Sequence, residues 1–204
     1  ANHLSGPALL ALAHKLDLPA TQLRMAKGVR GDDDRPFDRA LFPAPSWRPA
    51  KGFAMDRALM FAFMRQESSF NARAKSPVGA RGLMQLMPRT ASYMANDRSL
   101  RRSNKSKLYD PEYNLELGQK YIGYLLGDSL VKGDLFHLAV AYNAGPGNLS
   151  KWLRKAKFGD DPLMFVESIP WRETRLFVER VLTNFWIYRE RFSQDSPSLD
   201  AVAS

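Results

Sequence analysis

The stretch Met55-Asp56-Arg57-Ala58-Leu59-Met60-Phe61-Ala62-Phe63-Met64-Arg65-Gln66-Glu67-Ser68-Ser69-Phe70 decides how this chain folds. Residues 55–64 put apolar side chains on nearly every face of a helix, the pattern of a helix buried in the middle of a core. Within one turn of Phe63 the sequence becomes polar, and Glu67 stands at that change, ahead of a loop rich in serine, proline and glycine. A carboxyl group held against so much apolar surface has its charged form disfavoured and its pKa raised. That keeps it protonated for general acid catalysis near neutral pH. By itself the position is also an ordinary one, since glutamates that end helices on solvated turns are common.

Outward from this segment, helix signals recur and strand signals do not. Asp110-Pro111 supplies an N-cap and an N1 proline for a helix through Leu115, Tyr121, Ile122 and Leu125 that ends near Gly127. Asp134 caps a helix over residues 135–143, closed by Ala144-Gly145-Pro146. A short helix is predicted over 148–156, another begins at Asp161-Pro162, and a long one runs over about 173–192 with Phe177, Val178, Val181, Leu182, Phe185 and Trp186 on its core side. Residues 193–204 read as a polar, flexible tail. On the N-terminal side, Pro7 and Pro19 open two short helices within residues 1–30, a pair too small to stand alone that resembles the end of a helical repeat array. Residues 31–52, with Asp32-Asp33-Asp34 and prolines 36, 43, 45 and 49, read as an extended connector. The aspartates are not a calcium loop, because Pro36 and Phe37 stand where that pattern needs a ligand and a glycine. The fold class expected is all-α, with residues 53–192 as the main domain.

At 204 residues and 45% hydrophobic, the chain can bury a substantial core. It has no cysteine, which excludes a disulfide framework, a thiolate metal site and a cysteine nucleophile. No spacing of metal ligands is evident, so neither a metal nor another cofactor is expected. No apolar run approaches the roughly 20 residues of a membrane span, and a start at Ala1 without a signal pattern reads as a mature or excised fragment. The net charge of +9 predicts attraction to an anionic partner, with basic residues dense over 98–107 and 151–157. Neither an RNA-binding aromatic motif nor zinc-finger spacing accompanies them, so nucleic acid is not the expected partner.

Four further segments carry chemistry. The loop Ser76-Pro77-Val78-Gly79-Ala80-Arg81-Gly82 is shaped for close backbone approach. It leads into Leu83-Met84-Gln85-Leu86-Met87-Pro88, where Gln85 is polar among apolar neighbours and needs hydrogen-bond partners. Ala141-Tyr142-Asn143-Ala144-Gly145-Pro146-Gly147 puts a phenol and an amide on the last turn of an apolar helix. Glu167-Ser168-Ile169-Pro170 offers a second carboxylate at the start of the final helical region.

In this order and near this spacing, Glu67-Ser68, the Ser76 loop, the Gln85 segment, Tyr142-Asn143 and Glu167 with Glu173-Thr174-Arg175 resemble the catalytic domain of the soluble lytic transglycosylases. The resemblance covers about residues 53–192. It implies a lysozyme-like α-helical domain, preceded by a remnant of a superhelical repeat domain. The implied activity, a carbon–oxygen lyase reaction in the bacterial periplasm, cleaves peptidoglycan between N-acetylmuramic acid and N-acetylglucosamine and leaves 1,6-anhydromuramic ends. It puts the family's single catalytic acid on Glu67, its glycan contacts on Ser76, Gln85 and Met87, its cleft-lining pair on Tyr142 and Asn143, and its second cleft glutamate on Glu167. Two positions depart from the pattern: Trp171 stands where phenylalanine is more frequent, and Arg81 where a small residue is usual, a change expected to alter contacts near the cleft mouth, for instance with a peptide stem. The partner implied is the peptidoglycan glycan strand, with no nucleic acid, no integral membrane segment, and any cell-wall enzyme complex unspecified. Two other readings stay open at this stage: a goose-type hydrolytic muramidase, and a non-catalytic basic module that binds glycan or nucleic acid.

Overall fold

The computed structural model describes residues 5–155 and 161–203, and no β-strand occurs among them. Part of the second basic run, residues 156 and 157, lies outside the described residues. Two short helices come first, α1 (Gly6–Lys15), capped by the Ser5 hydroxyl, and α2 (Pro19–Ala26). The single turn α3 (Asp38–Leu41) follows. Leu10, Ala26 and Ala40 give these three elements a small core of their own, with Met25, Val29 and Phe37 packed against it.

The central helix, α4 (Arg57–Ser68), starts where one oxygen of Asp56 accepts from the Ala58 N–H at 2.8 Å and the other pairs with Arg189. All seven residues from Ala58 to Met64 are buried, as an apolar run without a polar face requires. Beyond it lie α5 (Pro88–Ala95), two 3₁₀ turns (Arg98–Arg101 and Lys105–Tyr109), α6 (Pro111–Leu126), α7 (Leu135–Ala144) and α8 (Pro146–Lys155). The chain closes with α9 (Pro162–Ser168), α10 (Arg172–Arg191) and α11 (Pro197–Ala203). The longest of these, α10, packs along α4 on one side and α7 on the other. Phe61 of α4 makes edge-on ring contacts with Tyr188 of α10 and with Phe192, which caps the end of that helix, both at 5.4 Å between centroids. Each such buried ring contributes about 2 kcal/mol through removal of apolar area from water.

Two segments differ from expectation. Residues 31–52 are not extended throughout: they contain α3, and Pro43, Pro45 and Pro49 are buried. Arg65 of α4 explains the attachment, because its guanidinium donates to Leu41 O (3.1 Å) and to Asn184 Oδ1 (2.9 Å) and lies 4.2 Å from the Phe42 ring centroid. The buried Tyr188 hydroxyl also donates to Pro43 O at 2.9 Å. The tail carries α11, opened by Pro197, held where Trp186 Nε1 donates to Ser198 Oγ (3.0 Å) and with Val202 packed on the core. Its polar composition hid one apolar anchor and one capping proline.

Candidate active site

Glu67 lies in the last turn of α4, and the turn that follows fixes it there. Ser69 (φ 49°) and Phe70 (φ 64°) are consecutive non-glycine residues in the left-handed region, a combination that costs energy unless the surroundings impose it. Phe70 supplies the compensation, being buried to 1% exposure with its ring 6.3 Å from Phe61. The Ser69 N–H returns to Arg65 O at 3.1 Å, closing the helix. The Glu67 side chain is half-buried, and its carboxyl forms no hydrogen bond or ion pair with another described residue. Burial without a compensating cation pushes its carboxyl up to about 8. The negative end of the α4 dipole acts in the same direction.

Opposite stands Tyr142 on α7. Its ring packs 4.5 Å from Phe63 and 5.2 Å from Tyr121 between centroids. Burial raises its pKa well above that of a free phenol, and the neighbouring Glu67 and Tyr121 add to this. The hydroxyl donates to Met84 O at 2.7 Å. Its proton is thereby committed, so towards Glu67 the oxygen offers only lone pairs.

The loop over residues 74–86 is held by two amides. Gln85, at φ 44°, donates from Nε2 to Gly82 O (2.8 Å) and Ala74 O (3.2 Å), so its amide nitrogen shapes the loop and its carbonyl oxygen stays open. Asn114 of α6, fully buried, accepts from the Met84 N–H (2.8 Å) and donates to Leu108 O (2.8 Å) and Arg81 O (3.1 Å). Gly82 lies at φ 77°, where an added Cβ would stand 2.1 Å from Leu108 O, so no side chain fits. Ser76 Oγ accepts from the Ala80 N–H (3.0 Å) and keeps its own proton free to donate. Met87, 40% exposed, immediately precedes α5.

Asn143 is exposed on the side chain, and its Oδ1 accepts from Thr174 Oγ1 of α10 at 2.8 Å, which turns the amide NH₂ outward as a double donor. Glu167 is exposed in the last turn of α9, not at the start of α10, and forms no ion pair among the described residues. The structure therefore brings Tyr142 and Met84 together beside Glu67, ties Ser76 and Gln85 into the same loop, and places Met87 at the start of α5 and Glu167, exposed, in the last turn of α9. Asn114, Tyr121 and Thr174 were not read from the sequence as site residues. Thr174 lay within the quoted Glu173-Thr174-Arg175 segment, whereas Asn114 and Tyr121 fell only within the helix that Asp110-Pro111 opens. Among the described residues no group of three or more His, Cys, Asp or Glu side chains is placed to hold a metal ion, and no helix is long and apolar enough to cross a membrane.

With this geometry in hand, the chain is similar to several characterised proteins. The family model described as "Transglycosylase SLT domain" matches residues 46–165. The soluble lytic murein transglycosylase of Escherichia coli K12 is 40% identical over 153 residues, 74% of this chain and 23% of that protein. That of Salmonella typhimurium is 37% identical over 148 residues, 72% of this chain and 23% of its own. Among solved structures, the 70 kDa soluble lytic transglycosylase of E. coli aligns with a TM-score of 0.78 at 32% identity, covering 93% of this chain and 31% of that one. An inactive glutamate-to-glutamine form of the lytic transglycosylase Slt from Pseudomonas aeruginosa aligns at 0.76 and 31%, over 93% of this chain and 31% of that one. The chain thus spans about a quarter of the curated relatives it matches, in an all-α fold shared with these helical transglycosylases. On the family model and these relatives, the chain belongs to the transglycosylase SLT domain family.

Proposed function

We propose that this chain is a peptidoglycan lytic transglycosylase, a lyase that breaks the β-1,4 bond between N-acetylmuramic acid and N-acetylglucosamine without consuming water. The observation that carries the reading is Glu67: a half-buried carboxyl with no cationic partner, raised to about 8, facing a tyrosine whose proton is committed elsewhere. At neutral pH such a group holds a proton it can give away, which is what a general acid requires.

Protonated Glu67 donates to the glycosidic oxygen as the bond to the muramic acid anomeric carbon breaks. The N-acetyl carbonyl of the same sugar stabilises that carbon, doing the work of a second carboxylate. Glu67, now ionised, takes the proton from the sugar's 6-hydroxyl, whose oxygen closes on the anomeric carbon and forms the 1,6-anhydro ring. Because that hydroxyl is tethered to the ring it closes, its effective concentration is high. Tyr142 and the Gln85 carbonyl oxygen serve as acceptors for the acetamido N–H and sugar hydroxyls, while Asn143 and Ser76 serve as donors. Met87 and the exposed Glu167 are assigned to flanking sugar contacts in the same scheme. The site of action is the periplasm of the bacterial envelope, with the glycan strand rather than nucleic acid as partner. In the same proposal α1 and α2 are the end of a helical repeat array, residues 31–52 join it to the catalytic domain, and residues 193–204 trail that domain.

Muropeptide mass spectrometry on purified peptidoglycan tests this. Products one water lighter than those of hydrolysis, absent with Glu67→Gln, are expected. Reducing ends instead would make the chain a hydrolytic muramidase, and undiminished cleavage by Glu67→Gln would remove Glu67 from the mechanism.

A further inference from the structure

The exposed surface on either side of Glu167 is apolar. Leu163 and Met164, near the start of α9, are exposed, and Leu163 lies one turn before Glu167 on the same face of the helix. Four residues beyond Glu167 stands Trp171, 50% exposed, which sets α10 in motion as its N-cap residue. Its ring meets that of Trp152 of α8 edge to face, 5.3 Å between centroids, and Trp152 is only 7% exposed. A large indole is therefore kept half in water and braced from behind by a buried one, and its N–H has no acceptor among the described residues. The connection that carries it is fixed as well. Ile169 is fully buried, and the Arg175 guanidinium donates to its carbonyl. Thr174, one turn after Trp171, donates to Asn143 Oδ1 at 2.8 Å, and Asn143 follows Tyr142, the neighbour of Glu67. Trp171 thus stands on the surface that continues outward from Asn143.

We propose that Trp171, braced by Trp152, is a stacking platform for an N-acetylated amino sugar lying beyond the two sugars joined at the bond cleaved, so that this chain discriminates glycan strands by length. The platform presupposes the catalytic reading of Glu67 given under Proposed function. A β-linked pyranose with equatorial substituents has flat faces of C–H groups and a rim of hydroxyls and acetamido groups. An exposed ring covers such a face by removing apolar area from water, and a carboxylate and an indole N–H beside it bind the rim. Phenylalanine, the residue more frequent at this position, offers a smaller ring and no donor. A lipid surface would also be drawn to exposed Leu163, Met164 and Trp171. Glu167 argues against it: the carboxylate lies among these side chains with no ion-pair partner among the described residues, and acyl chains would strip its hydration without replacement, whereas sugar hydroxyls donate to it.

The test measures binding in the Glu67→Gln background, so that turnover does not enter, with peptide-free glycan strands of two, four, six and eight sugars. Affinity should step up about tenfold, or ~1.4 kcal/mol, at the length that first reaches Trp171. Adding Trp171→Ala should remove that step and leave the shorter strands within about twofold. Trp171→Phe, which keeps a ring over Trp152, should retain part of the step. Indole emission should shift at the same strand length, and the shift should vanish with either substitution, a signature that a merely structural role does not produce. Loss spread evenly over all lengths, or no loss at any length, overturns the proposal. So does an emission shift produced by anionic lipid vesicles and not by strands, which would make the patch a membrane face. If the unaltered chain releases no anhydro products while the length step persists, the catalytic reading fails and the platform stands.

Discussion

Replacing Glu67 by glutamine should make the protein more stable, and by an amount that depends on pH in a way only this carboxyl dictates. In the unfolded chain the group titrates near 4.5; in the folded one burial moves it to about 8. A raised acid binds its proton more tightly when folded, so its contribution is fully present below pH 4.5 and is lost progressively as pH rises towards 8. At pH 7 the unfolded carboxyl is ionised and the folded one largely protonated, which costs the folded state about 3 kcal/mol relative to a group with no such linkage. Glutamine keeps the shape and is neutral at every pH, so that cost disappears. For a chain of this size about 3 kcal/mol corresponds to roughly 6–12 °C in Tm. Calorimetric melts of parent and variant from pH 4 to 8 should coincide at the acid end and diverge by that amount at pH 7, with the variant higher. Parallel curves across the whole range would refute the claim that Glu67 is held protonated by desolvation, and with it the basis for its role as an acid.

The activity profile should carry the same signature: kcat/KM on peptidoglycan falls above about pH 8 as Glu67 ionises, and a profile flat to pH 9.5 would contradict the assignment. Tyr142→Phe keeps the ring against Phe63 but leaves the buried Met84 O without its donor; turnover should drop by roughly tenfold to a hundredfold, and stability by about 1–3 kcal/mol, read from kcat and a thermal melt. Asn114→Ala strips partners from the Met84 N–H and from Arg81 O and Leu108 O, and should cost about 3 kcal/mol, seen in a denaturant midpoint. Gly82→Ala should lose at least ~3 kcal/mol because its Cβ has no space, whereas Gly79→Ala, at φ 96° with nothing within 4 Å, should cost only about 1 kcal/mol.

The helical framework was legible because its signals are local. Asp110, Asp134 and Asp161 each cap the helix that the sequence predicts at that point, and the apolar run before Glu67 is buried on all faces. Glu67, Tyr142 and the Met84-Gln85 segment were legible as candidates because each is a polar group set against an apolar run. Their mutual placement was not, since Tyr142 and Met84 lie 58 residues apart and meet only through the packing of α4, α6 and α7. Two roles also shifted. Gln85 looked like a ligand for sugar, yet its amide nitrogen is spent on Gly82 and Ala74. Asn114 looked like an ordinary helix residue, yet it fastens the loop. Whether a polar side chain is spent inside the fold or left for a ligand depends on which carbonyls come within reach, and sequence spacing does not encode that. Helix α5 and the second 3₁₀ turn were missed because no side chain caps their starts and few of their positions are apolar and buried, and the first 3₁₀ turn, though capped by Asp97, is only four residues long.

The attachment of residues 31–52 bears on where the catalytic unit can be cut. A chain begun at Phe53 would contain every site residue, yet it would lose Leu41 O from the Arg65 guanidinium, the Phe42 face beside it and Pro43 O from the buried Tyr188 hydroxyl. The buried Tyr188 hydroxyl would be left without a partner and the half-buried Arg65 guanidinium with Asn184 alone, a loss of about 2–5 kcal/mol together, enough to consume much of a domain's stability. Both groups sit where α4 meets α10, so the loosened contact is the one that holds the helix bearing Glu67. The smallest excised domain that keeps its acid rigid therefore begins ahead of Asp38, inside what composition alone marks as spacer.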